Sequence, residues 1–149
     1  LHKYPFFMKP SHEDKLFTGG VFVNPSYYNL IDGLYDELNV YVSDVIHNIE
    51  NEYRFFICDK EIIGVKQYLG ERYFVFDNEM KMSTLAKNVI SKYRNQPIAY
   101  SIDIGLDEDF NPHLIEINDF YALGIYGLDV IKYFRAYKKR FNEIKKSIY

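Results

Sequence analysis

A chain of 149 residues with a formal net charge of −3 has room for one domain that buries about two-thirds of its unfolded surface, and not for two full-sized ones. The single cysteine, Cys58, and four scattered histidines exclude an internal disulfide and a structural zinc cluster, and the weakly acidic balance argues against general nucleic-acid binding. No apolar run approaches the roughly 20 residues of a membrane helix, and the N-terminal segment around Lys9 and His12 lacks a signal-peptide profile, so no membrane partner and a cytoplasmic location are expected.

In chain order, Tyr4 to Lys9 reads as a short apolar strand stopped by Pro10. A polar loop, Ser11 to Thr18, opens through Gly19 and Gly20 into a second strand, Val21 to Val23. Asn24-Pro25 offers a helix start, and Tyr27, Leu30, Ile31, Leu34 and Leu38 predict a helix of about 13 residues. Val40 to Ile46 is a β-branched strand, and Glu52 to Cys58 turns through Asp59-Lys60 into Ile62 to Tyr68 as a hairpin. Leu85, Ala86, Val89, Ile90 and Tyr93 mark a helix from Ser83, ended by Asn95-Gln96-Pro97. Tyr100 to Gly105 and Leu114 to Asp119 form a second hairpin around an acidic turn. Val130, Phe134, Tyr137, Phe141, Ile144 and Ile148 alternate four and three apart, which predicts a closing helix with one apolar seam and a basic outer face.

The second hairpin carries the strongest chemical signal. Glu116 and Asn118 share a strand face about 6.6 Å apart, and a hairpin centred near Asp109 sets Asp103 opposite residues 115 to 117. Two carboxylates and an amide favour Mg²⁺ or Mn²⁺ over zinc; solvated acids near a turn are the bland alternative. The acidic turn itself is not a calcium loop, because Pro112 stands where the glycine of an EF-hand is needed and Asn118 where its glutamate is needed. Lys9, ahead of Gly19-Gly20, has the chemistry to reach a nucleotide phosphate, although the chain has no P-loop. Arg54, in an aromatic strand, requires either an anionic ligand or an internal partner, Glu52 or Asp103. Lys66, Arg72 and Arg94 suit an anionic acceptor or plain solvent, and neither Ser43 nor Cys58 lies in a nucleophile motif.

The order Phe7-Met8-Lys9-Pro10, Glu52-Tyr53-Arg54-Phe55-Phe56-Ile57, Ser101-Ile102-Asp103-Ile104-Gly105 and Leu114-Ile115-Glu116-Ile117-Asn118 resembles the ATP-grasp superfamily across most of the chain. The resemblance implies an α+β fold of antiparallel sheets packed with helices, in two subdomains of about residues 1–68 and 69–149 that clasp ATP. It implies that Lys9, with Gly19 and Gly20, binds phosphates, and that the backbone around Tyr41, Val42 and Ser43 meets adenine. Asp103, Glu116 and Asn118 would hold Mg²⁺ or Mn²⁺, with Arg54 and Lys66 at the reacting groups. The implied reaction joins a small-molecule or peptide carboxylate to an amine through an acyl phosphate. A nucleotide-binding module or inactive relative that acts as an interaction domain is the alternative, and a purely structural domain a third reading. Relatives normally carry an N-terminal domain that is not visible here, and Leu1 is not an initiator methionine, so the expectation is a core whose missing part defines the substrate. Oligomeric state is left open by the sequence.

Overall fold

The computed structural model describes residues 3–11, 16–31, 38–70 and 76–148. The chain divides into two compact units, residues 1–47 and 48–149. The sequence expectation set the change of unit near residue 68. Contacts set it ahead of the first hairpin, because that hairpin is bonded along its length into the second sheet.

The first unit is a three-stranded antiparallel sheet in the order β2 (Gly20–Phe22), β1 (Phe6–Pro10), β3 (Val40–Ser43). Alternation along the strands sends Phe6, Met8 and Phe22 into a small core backed by Phe17, Val40 and Val42. The third strand is shorter than its β-branched run suggests. Its pairing stops at Phe7 opposite Ser43, and two residues before Phe7 stands Pro5, which has no N–H to offer. After β2 the chain makes a 3-10 helix, Pro25–Ile31, where an α-helix was expected; the rest of that expectation, Leu34 included, lies outside the described residues, as does Arg72.

The second unit is a four-stranded antiparallel sheet in the order β5 (Glu61–Leu69), β4 (Asn51–Cys58), β6 (Ala99–Leu106), β7 (Pro112–Asp119). Both hairpins fall where the sequence predicts them. Asp59 and Lys60 both have positive φ, as a tight two-residue β-turn demands. At the other turn, Asp107 accepts from the backbone N–H of Asp109 and Asn111 and pairs with His113 at 2.8 Å. The His113 bond, then the Asn111 amide, hold its carboxyl down at about 2. Those oxygens are used by the turn itself.

Helix α1 (Phe76–Lys92) covers one sheet face with Met82, Ala86 and Ile90 against Tyr53, Phe55, Ile57, Tyr100, Ile102, Ile104 and Leu106. It begins about two turns before the expected Ser83, since Met82 extends the apolar row back by four from Ala86 and nothing from Phe76 onward breaks the helix. On the other face, α2 (Val130–Ile148) packs Ala136 and Tyr133 against Phe56, Phe120, Leu123 and Leu128.

The seam predicted to face inward on α2 faces outward. Val130, Phe134, Tyr137 and Phe141 are exposed. The inner face is set instead by the small Ala136, by Tyr133, whose hydroxyl donates to the Leu123 carbonyl at 2.7 Å, and by Arg140. Arg140 donates through Nε to Asp119 at 2.8 Å and through Nη1 to Glu143 at 2.8 Å, while Glu143 accepts from the Ile98 amide at 2.9 Å. This clamp ties the helix to the end of β7. Among the described residues no helix is long and apolar enough to cross a membrane.

Removing the clamp with Arg140→Ala is expected to destabilise the protein by about 1–3 kcal/mol, and Arg140→Lys to recover only part of that because an ammonium cannot serve two carboxylates in a fixed plane. Urea midpoints of the three proteins check this; an unchanged midpoint in Arg140→Ala contradicts it.

Candidate active site

The central strands β4 and β6 are covered on both faces, so a charged side chain there needs a partner. Strand register supplies one. Arg54 lies opposite Lys66 on one side and Asp103 on the other, and Asp103 lies opposite Glu116. One row across all four strands therefore reads Lys66, Arg54, Asp103, Glu116: two cations, then two anions.

Asp103 is fully buried and Arg54 nearly so. The guanidinium grips the carboxylate with both prongs, Nε to Oδ1 at 2.8 Å and Nη2 to Oδ2 at 2.6 Å. Of the partners weighed for Arg54, the internal one, Asp103, is realised. Asn118 joins from β7, where its Nδ2 donates to Glu116 Oε1 at 2.8 Å and to Asp103 Oδ2 at 3.2 Å. Asp103, Glu116 and Asn118 thus converge as their spacing predicts, within one hydrogen-bonded group.

Two further residues complete the neighbourhood and were not singled out from sequence. Tyr126 lays its ring over Arg54, 4.8 Å from the guanidinium carbon to the ring centroid, a cation–π contact on the face left open by the carboxylate. Its backbone φ is 45°, a conformation that costs a non-glycine residue energy and is typical of sites where position matters. A side chain at Gly124 would meet that ring at 3.0 Å, so the glycine gives it room. The second is Ser101, opposite Asn118 and fully buried, whose hydroxyl has no protein partner. The signal for Tyr126 was the Gly-Ile-Tyr-Gly sequence of the loop after the hairpin; Ser101 had none beyond its place two residues before Asp103.

A hard divalent cation fits this donor set. A carboxylate offers about four lone-pair sites, and Asp103 uses three of them on Arg54 and Asn118. Turning the Asn118 amide over presents its oxygen where the nitrogen now stands, and oxygen-only ligation is what magnesium selects. The orphaned Ser101 hydroxyl beside the group is the polar atom that a ligand in this place would satisfy. Among the described residues no three His, Cys, Asp or Glu side chains cluster for metal binding, consistent with an amide as third donor.

In the first unit, Lys9 stands directly opposite Tyr41, and Phe7 opposite Ser43, on the sheet face away from the core. Gly19 lies against Lys9 so closely that a Cβ there would meet the lysine Cβ at 2.9 Å. Lys9, Gly19, Tyr41 and Ser43 therefore share one neighbourhood of that sheet. Val42 points the other way, into the core, and Gly20 pairs with Met8 at the edge. Cys58 is buried, and burial followed by the Asp59 charge pushes its thiol up to about 11, which leaves it protonated and weakly nucleophilic at neutral pH.

Two antiparallel sheets, each with its own core, and a buried carboxylate–guanidinium row define an α+β protein of the ATP-grasp fold, and the chain belongs to the ATP-grasp superfamily. More narrowly, residues 1–136 match the model of an ATP-grasp domain, the second family of its clade. Solved structures agree on the fold. The chain is similar to a RimK domain ATP-grasp protein from Sphaerobacter thermophilus at 18% identity and TM-score 0.61, covering 90% of this chain and 52% of that one. It is also similar to the D-alanine–D-alanine ligase of Bacillus anthracis complexed with ATP, at 11% identity and TM-score 0.61, covering 97% and 53%. An L-amino acid ligase from Bacillus licheniformis matches at 9% identity and TM-score 0.55, covering 80% and 34%. The chain thus spans about half the length of the first two and about a third of the last. No curated protein matches it.

Breaking the central pair from one side is expected to cost about 3–5 kcal/mol in Arg54→Ala, because Asp103 is left charged in a closed site. The double variant Arg54→Met with Asp103→Leu should lose less than the sum of the single variants. A double-mutant cycle by urea unfolding decides it; strict additivity would remove the pair from its central place.

Proposed function

We propose that this chain is the nucleotide- and metal-binding core of an ATP- and Mg²⁺-dependent ligase that joins a carboxylate to an amine through an acyl phosphate. The observation that carries this reading is the row Arg54, Asp103, Glu116, with Asn118 bonded to both carboxylates. It sets a cationic group beside hard-oxygen donors, the pairing that phosphoryl transfer requires. Family membership and ligase neighbours support the same class.

In this reading Asp103, Glu116 and Asn118 hold Mg²⁺ or Mn²⁺, which when bound neutralises phosphate charge. Arg54 stays anchored by Asp103 and directs its remaining edge toward the phosphoryl group or the acyl phosphate. Lys66, beside it in the same row, adds a second cation for the anionic substrate. Lys9, Gly19 and Gly20 bind nucleotide phosphates, and the strand Tyr41, Val42 and Ser43 offers backbone groups to adenine. The substrates are small-molecule or peptide carboxylates and amines. No side chain is needed as a nucleophile, in keeping with the protonated Cys58.

The test compares melting temperatures with ATP alone and with ATP and Mg²⁺ in the wild type and in Glu116→Ala. Millimolar MgATP is expected to raise the wild-type Tm, as about 100 times Kd of a ligand adds about 2.7 kcal/mol, and Glu116→Ala to lose most of the Mg²⁺-dependent part. An equal rise in both proteins contradicts the metal role of Glu116, and no rise in either favours a purely structural domain. Binding without ADP release across panels of carboxylates and amines favours a nucleotide-binding interaction module.

A further inference from the structure

The outward row of α2 is used neither by the fold nor by the candidate site. Val130, Phe134, Tyr137 and Phe141 are 55, 61, 36 and 55% exposed, and their spacing of four, three and four keeps them in one narrow line along three helical turns. Four large apolar side chains in line on water are costly to leave uncovered.

Charge defines what covers them. Helix α2 carries seven basic side chains and one acidic, Glu143, on a chain whose net charge is −3. Three of the seven are spent at home: Lys132 on the Ile63 carbonyl, Lys139 on Asp59, and Arg140 on Asp119 and Glu143. Arg135, Lys138, Lys145 and Lys146 have no ion pair among the described residues. Lys138 and Lys145 each follow a row phenylalanine, Phe134 and Phe141, by four residues, so they border the row on its open side. The opposite border is the half-buried flank of Tyr133, Arg140 and Ile144 turned toward the sheet.

We propose that this row is a docking surface for a partner helix that carries an apolar row of matching spacing and acidic residues along one edge. The four-and-three spacing is that of knobs meeting holes between two helices. A lipid surface is matched by a broader apolar sector, and here Lys138 and Lys145 narrow it. A second copy of this chain brings the same lysines to the same border, where like charges oppose each other.

Two synthetic helices of about three heptads test this, both with leucine at the four-and-three positions, one edged with glutamate and the other with lysine. The full chain is expected to bind the glutamate-edged helix about tenfold more tightly at low salt, with the difference shrinking as salt screens it. Lys138→Glu combined with Lys145→Glu should reverse the order of the two peptides. Phe134→Asp and, independently, Phe141→Asp should remove binding while leaving the Tm of these surface variants unchanged. Equal affinity for both peptides overturns the proposal. Sedimentation of the unmodified chain as a dimer that Phe134→Asp disperses assigns the row to a second copy and overturns it too. Flotation with phosphatidylserine vesicles that Phe134→Asp abolishes, without discrimination between the peptides, assigns the row to a membrane and overturns it equally.

Discussion

The rest of the second unit is arranged around one ion pair. Arg54 and Asp103 sit on the two central strands, closed from water, and hold each other by two parallel hydrogen bonds. Either charge alone would be intolerable there. Together they fix the register of β4 on β6, and that register in turn places Glu116 and Lys66 at the ends of the same row. The pair costs stability relative to an apolar core, and what it provides is a guanidinium whose plane, height and orientation are set before any ligand arrives.

That preparation is reinforced from outside the sheet. Tyr126 closes over the guanidinium face, and its loop is anchored at both ends by the buried Leu123 and Leu128. The α2 helix holds the loop's other boundary through Tyr133 on the Leu123 carbonyl and Arg140 on Asp119, the residue next to Asn118. Helix, loop and metal-ligand strand are thus one mechanical unit. A disturbance of α2 has a short path to Asn118, through Asp119 alone.

The hairpins and the metal-type triad were legible in the sequence for physical reasons. Asp59-Lys60 and Asp107 to Asn111 are turns whose chemistry is local, and a period of two decides which side chains share a face. The Arg54–Asp103 pair was legible as one of a short set, since a buried arginine in a strand has few places to go. The orientation of α2 was not. Its strongest apolar pattern is a seam for another helix, and the actual inner face rests on a small alanine and a clamped arginine, which no hydrophobic period reports. Tyr126 was invisible for a related reason: it sits in a loop with no period, and its closeness to Arg54, 72 positions earlier in the numbering, is a purely tertiary fact.

The central claim is that Asp103, Glu116 and Asn118 form the metal end of a nucleotide site, and paramagnetic Mn²⁺ reports on it most directly. Titrating Mn²⁺ into the protein with saturating ATP and following the side-chain amide signals by NMR should broaden the Asn118 amide to disappearance while those of Asn88 and Asn142, on the exposed faces of the two helices, persist. An Asn118 signal that survives at saturating MnATP would contradict the account.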